Sequence, residues 1–254
     1  MHGKVVIVTG GASGIGRAIV DQMLSEGAKV AAFDLPGPAL TALDGLNPEL
    51  RCYGVDIANE MAVTQAVAEI EADFGEIDGV VNSAGIAADT PAMKMEADCF
   101  RRILEVNVVG CFIVTRAAVA AMGMRGGAVV NIASVSGMRG NEGRMAYGAS
   151  KGAVITMGKV LAVELAPVGV RVNTVAPGPV DTPMVLAHHS QEAREGWLNV
   201  LPIKRYARPE EIAQAAAFLL DPQRSGFITG HTLAVDGGFL ARGMVSGTAA
   251  AGRL

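Results

Sequence analysis

Val5-Val6-Ile7-Val8-Thr9 runs straight into Gly10-Gly11-Ala12-Ser13-Gly14-Ile15-Gly16, and no other stretch limits the fold so sharply. An unbroken apolar run bounded by turn residues predicts a strand buried on both faces, as in a parallel sheet. The residues from about Ile15 to Glu26 predict an amphipathic helix opening directly out of the glycines. Strand, glycine loop and helix N-terminus together make an anion cradle, because backbone N–H groups and the positive end of the helix dipole face the loop. Gly10 permits the turn, Gly14 lets backbone approach a pyrophosphate, and Gly16 lets the helix pack closely. Three residues separate Gly10 from Gly14, where the commoner Gly-x-Gly-x-x-Gly has one.

Strand and helix patterns then alternate. Val30–Asp34, a strand ending at Val55-Asp56, Ile77–Val81, Ala128–Ile132, Val170–Val175 and Thr232–Val235 read as further strands. Between them lie a short helix limited by Pro36, Gly37, Pro38 and Pro48, and a helix capped by Asn59 and running to about Phe74. Longer helical patterns cover Asp98 to about Met124, Ala146–Ala166 and Pro209–Leu220. Such alternation predicts an α/β fold: a Rossmann-type, doubly wound parallel sheet of about seven strands with helices on both faces. With 254 residues and no linker, one domain over 1–254 is expected. A content of 50% hydrophobic residues and 32 glycines suits an aliphatic core joined by tight turns.

Composition also excludes. A net charge of −4 without a basic run argues against nucleic acid. No charged segment precedes an apolar one as in a secretory signal. The apolar stretch Val106–Met124 is interrupted by Asn107, Thr115 and Arg116, so no membrane span is expected. Cys52, Cys99 and Cys111 are scattered, which suits reduced thiols in a cytoplasmic protein. The four histidines have no zinc-ligand spacing with them, so no metal is expected.

Asp34 ends the second strand, 18 residues after Gly16. A carboxylate there accepts both hydroxyls of an adenosine ribose and repels a 2′-phosphate. Ser13 and Leu35 are uncharged, and Arg17 is expected to point along its helix into solvent, so NAD(H) is expected over NADP(H). Tyr147 and Lys151 stand i, i+4 at the head of a helix, roughly 5–6 Å apart at Cβ. A phenol alone is a poor proton-transfer group at neutral pH. One ammonium about 4 Å away, at an effective dielectric of about 20, favours its phenolate by roughly 4 kcal/mol before screening. That pairing makes a general acid–base, although two residues at this spacing are also common on any helix surface.

The glycine loop, Asn82-Ser83-Ala84-Gly85, Asn107, Ser134, Tyr147-x-x-x-Lys151 and Pro177-Gly178 occur in order, and with them the chain resembles the classical short-chain dehydrogenase/reductase family from Gly3 to about Phe239. Ser83 departs from it, standing where the family usually has a second asparagine. The resemblance implies a catalytic set of Asn107, Ser134, Tyr147 and Lys151. Ser134 would hold the substrate oxygen and Tyr147 would exchange its proton. Lys151 would bind the nicotinamide ribose, and Asn107 would anchor a water in a proton relay. It implies cofactor contacts from Gly10, Ser13, Gly14, Ile15 and Gly16 in the loop, and from Asp34, Leu35, Asp56 and Ile57 at the adenosine. Asn82, Ala84 and Gly85 would line the ribose and sheet edge. Pro177, Gly178, Val180 and Thr182 would lie near the nicotinamide, Thr182 also capping a helix.

Two segments are expected to shape the substrate pocket: Ser136 to Arg144, with Ser136 and Asn141, and a lid over 184–201 holding Met184, His188, His189 and Trp197. Met184 and Trp197 equally suit plain packing. The polar residues tilt the expected substrate toward a polyol, sugar or hydroxy acid. The tail over 240–254 has no functional reading. Helices 108–124 and 146–166 carry few charges, which predicts a buried second face and a homotetramer or dimer. The main competitor is a 3-oxoacyl-thioester (acyl-carrier-protein) reductase, disfavoured by Asp34 and by the absence of a basic residue at position 13. An epimerase would need a larger C-terminal domain. A non-catalytic NAD-binding protein would not need the four-residue set.

Overall fold

The structure, a computed structural model, describes residues 1–243. Residues 244–254 and the side chains of Ala187 and His188 lie outside the described residues, and most of the expected tail and the expected lid residue His188 lie there too. Strands β1 (Val5–Thr9), β2 (Lys29–Asp34), β3 (Leu50–Gly54), β4 (Gly79–Asn82), β5 (Gly127–Ile132), β6 (Val170–Pro177) and β7 (Thr232–Val235) form one sheet. Its order is β3-β2-β1-β4-β5-β6-β7. Every pairing is parallel. The direction of winding reverses between β1 and β4, and in such sheets the ligand crevice lies outside the strand C-termini at that point.

Between the strands run α1 (Gly14–Ser25), α2 (Pro38–Leu43), α3 (Glu60–Phe74), α4 (Ala97–Leu104), α5 (Cys111–Met122), α6 (Met145–Leu165), α7 (Pro183–His188), α8 (Gln191–Val200) and α9 (Pro209–Leu220). Successive strand residues point to opposite faces. Val6 and Val8 therefore join one core with Ile19 and Met23 of α1 and Ile212 and Ala216 of α9. Val5 and Ile7 join the other, with Val63 and Ile70 of α3 and Val114 of α5. Each such fully buried aliphatic side chain contributes about 1.5–3 kcal/mol.

Several boundaries differ from the sequence expectation. β3 stops at Gly54, before Val55-Asp56, because the Asp56 carboxylate accepts the Ala58 N–H at 3.0 Å and turns the chain toward α3. β4 starts at Gly79, because the Asp78 carboxylate accepts the Val5 N–H at 2.9 Å ahead of the ladder. The helical region Ala97–Arg125 is continuous, long and apolar enough to cross a membrane by length and composition alone. Half of its most apolar window is buried inside this fold, so that apolarity serves the core. Its middle, Glu105–Gly110, is a π-helical turn with Asn107 inside it, a distortion that often marks functional positions. The expected lid is two short helices, capped by Thr182 on the Val185 N–H and by Ser190 on the Ala193 N–H.

Candidate active site

The glycine loop behaves as its spacing predicts. Gly10 sits at φ +67°, and a Cβ there would lie 2.9 Å from the Ala84 Cα. A Cβ on Gly16 would lie 2.0 Å from the Gly10 carbonyl oxygen, so α1 can pack on the loop only without a side chain. Ser13 precedes α1 but makes no side-chain cap, which leaves first-turn N–H groups open toward the crevice. Thr9 ties the facing wall: its Oγ1 accepts the Ser83 and Ala84 N–H groups, both at 3.0 Å. The Asp34 carboxylate, at the tip of β2, accepts the Ala12 N–H at 3.0 Å and the Leu35 N–H at 2.8 Å. Arg17 pairs with Asp21 at 3.0 Å, along its helix as expected.

These elements enclose a cleft of about 300 Å³. Of the expected cofactor contacts, Gly10, Ser13, Gly14, Ile15, Gly16, Asp34, Leu35, Asp56, Ile57, Ala84, Gly85, Pro177, Gly178, Val180 and Thr182 all line this one cleft. Ser134, Tyr147 and Lys151 line it too. Asn82 does not. Its side chain lies behind the wall, 4% exposed, donating to Thr115 Oγ1 at 2.8 Å and to Asn131 Oδ1 at 2.9 Å. Asn82 and Asn131 face each other because their strands pair in register. Sequence reasoning missed Thr9, Asn131 and Arg102. Arg102 adds a cation to the cleft, 3.7 Å from Asp56.

The catalytic candidates are held by backbone contacts. Ser134 opens a turn over Val135–Gly137, its Oγ accepting the Ser136 N–H at 3.1 Å. That turn lies directly on α6: a Cβ on Gly137 would meet the Lys151 carbonyl carbon at 2.6 Å, and one on Gly148 would meet the Ser136 oxygen at 2.8 Å. Two glycines thus set Ser134 beside Tyr147. Lys151 is 5% exposed. Its ammonium donates to the Ile132 carbonyl at 2.8 Å and lies 5.7 Å from the Tyr147 ring centre. An ammonium has three donors, so two remain. Asn107 is buried behind the cleft. Its Oδ1 accepts the Ile86 N–H at 2.8 Å, and its Nδ2 donates to the Ile86 carbonyl and to Ser150 Oγ, both at 2.9 Å. With both amide protons committed, this side chain can meet a water only as an acceptor. Burial pushes the neighbouring Cys111 thiol up to about 12, against the opposing field of Lys151.

A second pocket of about 80 Å³ adjoins the first at Ser134 and Tyr147. Ser136, Met184 and Trp197 line it as expected. Asn141 does not; it donates to Ser136 Oγ at 2.9 Å from outside. Arg139 covers the Phe239 ring instead. Arg144 and His189 complete the wall. The His189 ring stacks on Trp197, 6.4 Å between centres, and Trp197 packs on Phe239 at 5.0 Å. Among the described residues, no group of three or more His, Cys, Asp or Glu is placed to hold a metal ion.

With this geometry in place, likeness to known proteins adds the class. A family model described as Enoyl-(Acyl carrier protein) reductase matches residues 10–240. The chain is 38% identical to a 3-oxoacyl-(acyl-carrier-protein) reductase of Thermotoga maritima, over 94% of this chain and 99% of that protein. It is 41% identical to a 2,5-dichloro-2,5-cyclohexadiene-1,4-diol dehydrogenase of Sphingobium indicum, over 95% and 98%. The ligand-free aldohexose dehydrogenase of Thermoplasma acidophilum superposes with a TM-score of 0.87 at 33% identity, over 96% and 97%. The chain therefore belongs to the classical short-chain dehydrogenase/reductase family. As such it is an oxidoreductase of alcohols and ketones that works with a nicotinamide cofactor.

Proposed function

We propose that the protein is an NAD-dependent dehydrogenase of a small hydroxylated secondary alcohol, or reductase of the matching ketone. The observation that carries this reading is that one cleft gathers the glycine loop, Asp34, Ser134, Tyr147 and Lys151. The donor set fits a dinucleotide. Open N–H groups at α1 suit a pyrophosphate, and the Asp34 carboxylate suits unmodified ribose hydroxyls. The bound nicotinamide supplies the redox chemistry, accepting a hydride from the carbinol carbon or returning it.

The chain's own residues do the rest. Ser134 Oγ holds the substrate oxygen and Tyr147 Oη takes the hydroxyl proton as the carbonyl forms. In reduction Tyr147 gives that proton back. Lys151, already fixed on Ile132, has two donors for the ribose hydroxyls. Asn107 fixes the Ile86 segment and the helix around Ser150, and offers Oδ1 to a relay water. Exposed Val109 and Phe112 beside α5, and Met145, Val160 and Val163 on α6, support assembly as a homotetramer or dimer.

The reading is tested by following NADH formation with NAD+ or NADP+ and a panel of polyols, aldoses, hydroxy acids and 3-hydroxyacyl thioesters. A small hydroxylated substrate with NAD+ should give the highest kcat/KM. The Thermotoga relative favours a second reading, 3-oxoacyl-thioester reduction. Fastest turnover of an acyl thioester with NADPH would establish that one instead.

A further inference from the structure

We infer that Arg144 forms a carboxylate seat in the substrate pocket, so that the substrate is a short hydroxy acid or its oxo acid rather than a neutral polyol or sugar. The inference rests on the proposed role of Tyr147 and narrows the substrate class at the same site.

Among the described residues, Arg144 is the one lining the smaller pocket that carries a permanent charge, and no carboxylate lines it. Its side chain is only 18% exposed, and a guanidinium stays protonated at any working pH. Two partners fix its orientation. Nε forms an ion pair with the Asp89 carboxylate at 2.6 Å, and Asp89 is not among the described residues of the pocket wall. Nη2 lies 3.0 Å from His189 Nε2. Because a guanidinium can only donate, that ring nitrogen accepts, and the ring proton is on Nδ1, directed to Tyr206 Oη at 2.9 Å. The imidazole is thus neutral, and the Asp89 carboxylate, behind the pocket wall, is the counter-ion of Arg144 among the described residues.

The ion pair engages Nε and the His189 contact engages Nη2, and Nη1 takes part in neither. A planar carboxylate is the acceptor that matches such a fork. The Arg144 carbon Cζ lies 5.5 Å from the Tyr147 ring centre, so the seat and the reacting oxygen are one short molecule apart. A pocket of about 80 Å³ between Tyr147, Met184 and Trp197 admits only a few heavy atoms. A neutral sugar offers Arg144 no charged partner in that pocket.

The test uses the enzyme with NADH bound and measures binding of acetate, propionate and butyrate against acetamide, propionamide and butyramide by calorimetry. In the unaltered protein at least one acid should bind about 30-fold or more tightly than its amide, the scale of a charge-assisted hydrogen bond. Arg144→Gln should erase that ratio and leave amide binding and NADH affinity unchanged. Arg144→Lys should restore part of it. Equal binding of every acid and its amide would overturn the seat. So would an equal weakening of acids and amides in both variants, which marks Arg144 as structural only. Kinetics separates this from the broader proposal. If Arg144→Gln oxidises a neutral alcohol such as 1,3-butanediol normally and the unaltered protein shows no preference for 3-hydroxybutyrate, only the seat fails. If no alcohol is oxidised by the unaltered protein, the dehydrogenase reading fails.

Discussion

The two halves of the crevice are built by different means. Toward β1–β4 the wall is mostly main chain: a glycine loop, open N–H groups of α1, and a segment pinned to Thr9. Toward α7 and α8 the wall is side chain, with Arg144, His189 and Trp197 meeting from separate stretches of sequence and Tyr206 bonded to His189 from behind. A main-chain wall can serve any molecule carrying the same dinucleotide. A side-chain wall is where one family can diverge in substrate, as the acyl-thioester reductase, the diol dehydrogenase and the aldohexose dehydrogenase related to this chain illustrate.

Substitutions in the two halves should therefore fail differently. The largest effect is expected at Gly16. Gly16→Ala puts a methyl 2.0 Å from the Gly10 carbonyl, an overpacking that should cost about 3 kcal/mol of stability and remove cofactor binding, read by thermal unfolding and calorimetry. Next is Asp34→Arg. It replaces a carboxylate that would repel a 2′-phosphate with a cation, and should shift the NAD+ to NADP+ ratio of kcat/KM by about 100-fold or more. Because Asp34 also accepts two loop N–H groups, Asp34→Asn should move the ratio less and keep the fold. An unchanged ratio in both would break the assignment of cofactor choice to this side of the crevice.

In the other half, Trp197→Ala removes the support of His189 and opens the smaller pocket. It should raise KM for the alcohol about tenfold, the order of one lost apolar contact, with the Kd of NAD+ unmoved. A matching loss of NAD+ affinity would erase the distinction between the halves. The smallest effect concerns α9, which packs on α1. Arg205 first, and the Arg208 N–H second, hold the Glu211 carboxyl down to about 2. A lowered folded value means stability that is present above the unfolded value of about 4.3 and lost as pH falls toward 2. Glu211→Gln should therefore unfold slightly earlier than the parent at pH 6, with the gap closing near pH 2.

The same division explains what could be read from the sequence. β1, the glycine loop and α1 follow from residue order, because Gly10 and Gly16 are required by local backbone approach. Asp34 was legible as a residue ending a strand. Asn82 was misassigned as lining the cleft, because its partners Thr115 and Asn131 lie on other elements and are brought together by strand register. Arg144 stood out only as polar. Its pairing spans 55 residues to Asp89 and 45 to His189 and has no periodic signature. The Thr182 cap was legible as a helix start, but the second lid helix was not: it begins at the Ser190 cap in a stretch without a strong apolar repeat.

The central claim is that Tyr147 moves the proton of the substrate hydroxyl, while the hydride on its carbinol carbon would pass to a nicotinamide held in the same cleft. The most direct measurement pairs NAD+ calorimetry with NADH formation, at saturating substrate, for the parent and for Tyr147→Phe. Turnover should fall by about 10²–10⁴-fold, the contribution of a positioned acid–base, while NAD+ affinity stays within about twofold. Turnover close to that of the parent, or turnover and NAD+ binding lost together, would contradict it.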